Sequence, residues 1–408
     1  METVSGLITG LKINPIKNKR MFLYKIQSRM LVVGLVCMAF WLCGFINQHD
    51  RAMFSYLYSY ISIIGLALGS MIFVLLQHVS RAGWSISVRR IPEAAMATIP
   101  LFILLFIPIA LNVDLLFPWT NIDLTDKILI NKYGYLNVYF FYVRSFIYLV
   151  VWMFIGLLFY KLSVNQDGGF SQLNSRNLWL FSAPAIIAFA FTISFSAFDW
   201  IMSLQPHWFS TIFGIYIFSG NFLSSLAFIV LFLMFIQKNN VMNIRVVNIE
   251  HYHDLGKLIF AFTIFWAYIA FSQFMLYWYG NIPEETEFYL HRLKNGWEWL
   301  SYLLPFTNFV VPFFLLLSRH AKRNNYVLLY GCLWTIFFHF VDVYWLILPN
   351  YASCNQLNNC FMISWMDFIC PIGMLSLFIS YICYLLSKVD IIPSGDPRLK
   401  ESLMFENF

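Results

Sequence analysis

The sequence predicts an all-α integral membrane protein with about ten transmembrane helices and both termini on one side of the bilayer. Three observations carry this reading. Hydrophobic residues make up 60% of the 408-residue chain, aromatic residues 20% and charged residues only 11%, and the mean hydropathy is +0.69; so apolar a chain cannot hide its surface in one soluble core. Ten runs of about 18 or more nearly uncharged residues match the length a helix needs to cross a hydrocarbon core of roughly 30 Å. Finally, the 26 Lys and Arg residues divide unevenly when the runs are threaded alternately. Twenty fall on the side of the N-terminus, five in loops on the other side (Arg51, Lys127, Lys132, Arg292 and Lys294) and one, Arg144, inside a run. Missing or adding one span would move every later loop across the membrane and degrade that bias.

The runs lie at about 28–45, 53–77, 94–111, 136–160, 178–198, 208–236, 256–279, 297–317, 326–348 and 362–386. The whole chain therefore reads as one polytopic domain, with a cytoplasmic arm over 1–27 and a cytoplasmic tail over 387–408. The arm is basic and amphipathic and meets the first run without a small-residue cleavage site, so no cleaved leader is expected. The second run carries Gly65 and Gly69, and the sixth carries Gly220 and Ser224, at a spacing that lets helix backbones approach closely. Between the second and third runs lies a polar island, Gln77 to Ser85, followed by Arg89-Arg90-Ile91-Pro92-Glu93. Arg89 and Arg90 read as topology signals, and Pro92-Glu93 as the start of the third helix. The fifth run ends Asp199-Trp200 and the ninth carries Asp342 and Trp345 at similar depth, a weak repeat at an offset of four spans. Two bundles of four helices with two flanking spans are the architecture expected.

Ionisable groups in spans are costly, so they mark function or structural ion pairs. Arg144, Asp199, His207, His339, Asp342 and Asp367 fall in the outer half; His78, Arg81 and Glu93 fall at the inner edge. His78 and Arg81, one turn apart, suit a cytoplasmic proton entrance. His339 and Asp342 share a helix face at i and i+3, a spacing suited to a His–carboxylate relay. Thr192, Ser194 and Ser196 of the fifth run could join the two half-paths, with Gln273 in the seventh at the outer depth. Edge residues such as His207, Glu298 and Asp254 are as readily explained by headgroup contact or helix capping.

Some chemistry is disfavoured. Only His339 lies well inside a run, so paired histidines for a transmembrane haem are missing, and no GxxxxGK[ST] loop points to ATP. The net charge of +6 is explained by topology and anionic lipid, not nucleic acid. Five of the seven cysteines lie in spans; Cys354 and Cys360 flank an outer loop where a disulfide or two free thiols fit equally. A secondary transporter also fits ten spans with buried charge, but no matched pair of Gly/Pro-broken helices stands out.

The island His78-xx-Arg81-Ala-Gly-Trp84-x5-Arg90-Ile-Pro-Glu93 is followed in order by three further motifs: Asp199-Trp-Ile-Met-Ser-Leu-x-Pro-His207-Trp, Asp254-Leu-Gly-Lys257-x5-Thr263-x2-Trp266-Ala-Tyr268-x3-Ser272-Gln273, and Asn281-Ile-Pro-Glu284-Glu285-Thr. Together they resemble the ActF-type membrane subunits of alternative complex III, in the NrfD-like (polysulfide reductase membrane subunit) family, over nearly the whole chain. The resemblance implies ten helices in two four-helix bundles within a bacterial cytoplasmic membrane. It implies a quinol:electron acceptor oxidoreductase with a sister NrfD-like subunit, a multihaem c-type cytochrome and iron-sulfur subunits, delivering electrons to a cytochrome c or a terminal oxidase. This subunit would bind no redox cofactor of its own, with quinol or menaquinol oxidised at the level of the complex, and would scaffold it and handle protons.

Overall fold

The computed structural model describes residues 16–120, 126–168, 172–244, 246–294, 296–351 and 361–406. Ten helices are long and apolar enough to cross a membrane: α1 (Ile16–Asn47), α2 (His49–Val79), α3 (Ile86–Leu111), α4 (Val138–Asn165), α5 (Gln172–Trp200), α6 (Phe213–Lys238), α7 (Ile249–Gly280), α8 (Glu298–Leu316), α9 (Asn325–Ile347) and α10 (Met366–Lys388). Among the described residues there is no strand. The protein is thus all-α and multi-pass, as its composition requires. Cys354 and Cys360 lie outside the described residues.

Two closed rings of four helices form the body. In the first, α2, α3, α4 and α5 pack in sequence and α5 returns to α2; in the second, α6, α7, α8 and α9 do the same. The rings join along α2 and α6, the most enclosed helices, with 94% and 83% of their apolar windows buried. Helices α1 and α10 pack on each other, and α10 rests on α2 and α3. The apolar window of α1 is only 17% buried, so its Leu, Val and Phe side chains face outward, where lipid is their natural solvent.

Between helices in lipid there is little hydrophobic drive, so close backbone approach matters most. Gly65 lies against the Asn221 side chain of α6, and Gly69 against the Asn221 backbone and Ser225. At the next residue, Ser70 Oγ and Ser225 Oγ are 2.9 Å apart. The GxxxG frame of α2 is therefore the seam between the rings. Gly220 serves a different purpose: it turns away from the seam and makes room for the His339 ring and Trp266. Gly69→Leu must push α6 aside, and overpacking of this kind costs about 1–3 kcal/mol or more; thermal unfolding in detergent should show the loss, whereas Gly134→Ala, with open space around it, should show none.

Helix α3 departs most from expectation. It begins at Ile86, not near 94, so Pro92 and Glu93 sit inside the helix and do not start it. The helix is broken at Ala97–Thr98. Pro100 has no N–H and its ring clashes with the carbonyl four residues back, that of Met96; Thr98 tightens the break by bonding to the Ala95 carbonyl through both N–H (3.2 Å) and Oγ1 (2.6 Å). Gly156 lets α4 approach the Met96 carbonyl closely. Helix α8 is also interrupted, by a π-helical turn, Phe306–Val310, between Pro305 and Pro312, and Trp334 of α9 donates 2.7 Å to the Thr307 carbonyl there. The two interruptions do not correspond under a four-span offset. The repeat survives elsewhere: Trp200 Nε1 donates to Ser145 of α4 (3.0 Å), and Trp345 Nε1 to Ser301 of α8 (2.7 Å).

Both described ends of the chain lie on one face, as an even number of spans requires. Ser380 bonds to the Gln27 carbonyl at 3.0 Å, and Lys19 lies 3.9 Å from Asp390. The arm is not a separate segment, because α1 is already helical from Ile16. Nor is the tail free: it folds back beneath both rings.

Candidate functional site

Three buried ionic clusters and one unpaired carboxyl account for most of the charge inside the body. At the face that holds the termini, Glu93 (0% exposed) receives Arg89 Nε at 2.8 Å, Arg90 Nη1 at 3.3 Å and Ser163 Oγ of α4 at 2.8 Å. Arg89 reaches on to Asp396 of the tail and Arg90 to Asp167 beyond α4, each at 2.7 Å. The Asp167 carboxyl is raised by burial, against the pull of Arg90. Arg89 and Arg90 are therefore not surface topology signals. They are buried, and the Arg-Arg-x-x-Glu spacing puts both one turn from Glu93.

The tail completes this cluster. Asp396 pairs with Arg89, Arg398 donates to the Arg81 carbonyl and pairs with Glu401, and Ser402 bridges Ser87 (2.7 Å), the Trp84 carbonyl (2.7 Å) and His251 of α7 (3.2 Å). His251, which carried no signal in the sequence, is fully buried. It also lies 2.9 Å from Ser87 Oγ, so α3, α7 and the tail meet there. The tail thus clasps one ring to the other.

At the opposite face, Arg144 of α4 holds Asp199 of α5 in a two-pronged pair, Nε–Oδ2 2.8 Å and Nη2–Oδ1 2.9 Å. Tyr148 adds a 2.7 Å bond to Asp199 Oδ2, and the guanidinium stacks on Tyr135 and Phe140. Such a pair is structural first. A second pair joins Arg51 to Asp367 at 2.5 Å, with Ser55 on the other carboxylate oxygen at 2.6 Å and Tyr344 at 3.2 Å. Arg51, read as a loop cation, is 7% exposed. His207 is an edge residue: exposed, 2.5 Å from Asp126, whose carboxyl that contact holds below its usual range.

Asp342 differs from all of these. It is 3% exposed, accepts a 2.5 Å bond from Tyr216 of α6 and has Trp266 of α7 beside it. Among the described residues it forms no ion pair. His339, one turn away, leaves its buried Nε2 without a partner, so the expected direct His339–Asp342 relay is not formed; they share a face but are not hydrogen bonded. Gln273 Oε1 is likewise buried and unpartnered. Arg292, read as an outer-loop cation, is 1% exposed. Carbonyls of Trp345 (3.1 Å), Leu346 (2.8 Å) and Phe288 (2.9 Å) hold it in place of a carboxylate. Burial lowers it to about 9, still cationic at neutral pH.

The hydroxyls of α5 do not join the two faces. Thr192, Ser194 and Ser196 bond back to carbonyls of their own helix, the usual fate of such residues in apolar helices. A longer buried polar stripe runs along α2, although its serines too bond back to carbonyls of their own helix. Arg51, Ser55, Ser59, Ser62, Ser70 and Gln77 are at most 9% exposed and fall within one face of the helix by their three-, four-, seven- and eight-residue steps. It extends from the Arg51–Asp367 pair toward His78, interrupted by Leu66 and Phe73.

His78 is buried with Nε2 unpartnered. Arg81 has a left-handed backbone (φ 50°) and lays its guanidinium 3.9 Å over the Trp179 ring. Both line a cavity of about 560 Å³ at the termini face. Among the described residues no group of three or more His, Cys, Asp or Glu comes together as a metal site, and Cys37, Cys43, Cys332, Cys370 and Cys383 are free thiols. Compared with models of known protein families and with curated proteins, the chain matches none.

Proposed function

We propose that the chain is an integral membrane subunit of a respiratory quinol:electron acceptor oxidoreductase in a bacterial cytoplasmic membrane, of the NrfD-like type found in alternative complex III. It scaffolds the complex and handles protons, beside a sister NrfD-like subunit, a multihaem c-type cytochrome and iron-sulfur subunits, with a cytochrome c or terminal oxidase as acceptor. The ordered motifs and the ten-helix body support the assignment, and the termini face is the cytoplasmic one by its charge bias.

One observation carries the proton role. Asp342 is a buried carboxyl whose protonation strands no cation, whereas Glu93, Asp199 and Asp367 each neutralise an arginine. A group that must gain and lose a proton can do so only where both states are tolerated. Tyr216 and Trp266 hold Asp342 in place, and the free Nε2 of His339 lies on the same face. In the assembled complex, Asp342→Asn is expected to leave quinol oxidation measurable and to lower proton release per quinol. Unchanged proton stoichiometry removes the proton role. Copurification of the chain without any haem-containing partner removes the complex itself.

A further inference from the structure

The cavity at the termini face is bounded by the end of α2, the turn at Arg81, the start of α3, the end of α4, the start of α5 and the tail. Four arginines line it, Arg81, Arg89, Arg176 and Arg398, against one acid, Asp396. Arg89 is spent on Glu93 and Asp396, and Arg398 on Glu401. Arg81 and Arg176 form no ion pair with any described residue, so the lining carries two uncompensated guanidinium groups.

Its floor is polar and unfinished. Gln77 and His78 are 9% and 8% exposed, Gln166 is fully buried, and Gln77 Oε1, His78 Nε2 and Gln166 Oε1 have no hydrogen-bond partner. The three side chains line the cavity while these atoms are enclosed by protein; buried polar atoms are ordinarily satisfied, so a small rotation of each toward the cavity would bring it to a ligand there. The set asks for both kinds of atom. Arginine and an imidazole N–H seek anionic acceptors; the amide oxygens seek donors.

We propose that this cavity binds a phosphate-bearing ligand, the headgroup of an anionic phospholipid with a hydroxylated alcohol such as phosphatidylglycerol. Its phosphate oxygens would meet Arg81, Arg176 and His78, and its glycerol hydroxyls would meet Gln77 and Gln166. Arginine suits phosphate through its forked donors. The membrane side of the site is built for the rest of the lipid. Leu173 at the rim is 66% exposed, and Leu180, Phe181, Ile187 and Phe191 continue as an exposed apolar face along α5. The Trp179 ring under Arg81 fixes a cation at the depth where headgroups lie. The assignment stands on the cavity and does not require the proposed respiratory role.

Native mass spectrometry of the full-length protein, delipidated in detergent, tests it with three probes: short-chain phosphatidylglycerol, short-chain phosphatidylcholine and inorganic phosphate. The wild type is expected to bind phosphatidylglycerol in preference to phosphatidylcholine. Arg81→Gln and Arg176→Gln are each expected to weaken phosphatidylglycerol about fivefold, and roughly twentyfold together. Arg176 is exposed, so Arg176→Gln alone decides if Arg81→Gln fails to fold. Equal binding of the two lipids, or variants that bind phosphatidylglycerol like wild type, overturns the proposal. Inorganic phosphate that binds as tightly as phosphatidylglycerol, with the same sensitivity to Arg176→Gln, upholds the phosphate site and overturns the lipid as its source.

Discussion

Glu93→Gln is expected to destabilise the protein by about 3–5 kcal/mol, the cost of breaking a buried ion network by removing one partner. The carboxylate accepts from Arg89, Arg90 and Ser163 at once, and Arg90 and Glu93 are both fully enclosed. Glutamine keeps the volume but offers one acceptor oxygen and no charge. Arg89 then retains Asp396 and Arg90 retains Asp167, so the network loses its hub and keeps its outer arms. Thermal unfolding in detergent measures the loss. Arg90→Met should cost less in the Glu93→Gln background than in the wild type, because of its two ion pairs only that with Asp167 then remains to be lost, a coupling that a double-mutant cycle isolates. A Glu93→Gln protein within about 1 kcal/mol of wild type would mean that solvent reaches this cluster and that it is not a buried network.

The helices were legible because their cause is one-dimensional: length and hydrophobicity decide whether a segment can cross a bilayer, and all ten runs lie in helices long and apolar enough to do so. The start of α3 at Ile86, ahead of the apolar run at 94, escapes that criterion for the same reason. Hydropathy scores Arg89, Arg90 and Glu93 as three separate costs, whereas in the body they neutralise one another and draw in Asp167 and Asp396 from distant parts of the chain. Pairing across tens or hundreds of residues leaves no local trace. Arg51 and Arg292 look like loop cations in the sequence on that account. The tail shows the same limit: a segment with Pro393, Gly395 and Pro397 is too short to bury a core of its own, yet Asp396, Arg398 and Ser402 dock it against both rings. Gly395 fits there because a side chain would strike the Gln166 carbonyl. Some signals were present but unweighted. Serines at 55, 59 and 62 in an otherwise apolar helix mark a buried polar face, and the Arg-Arg-x-x-Glu spacing marks an intrahelical cluster.

Position alone grouped Asp199 with Asp342, since each precedes a tryptophan near the far end of its helix, but their partners set them apart. Asp199→Asn is expected to cost about 3–5 kcal/mol, because it leaves the Arg144 guanidinium buried at 6% exposure without a counter-charge. Asn can accept one of the two guanidinium bonds and that of Tyr148 only in part. Asp342→Asn strands no cation, and Asn can still accept from Tyr216, so its effect on stability should stay within about 1 kcal/mol. The two variants form a matched test, since both remove a single buried carboxylate at the same face. Comparable unfolding losses in detergent would show that Asp342 has a hidden cationic partner and would take away the ground for its proton role. A large loss for Asp199→Asn beside a small one for Asp342→Asn assigns the first carboxylate to holding α4 against α5 and leaves the second free to change its charge.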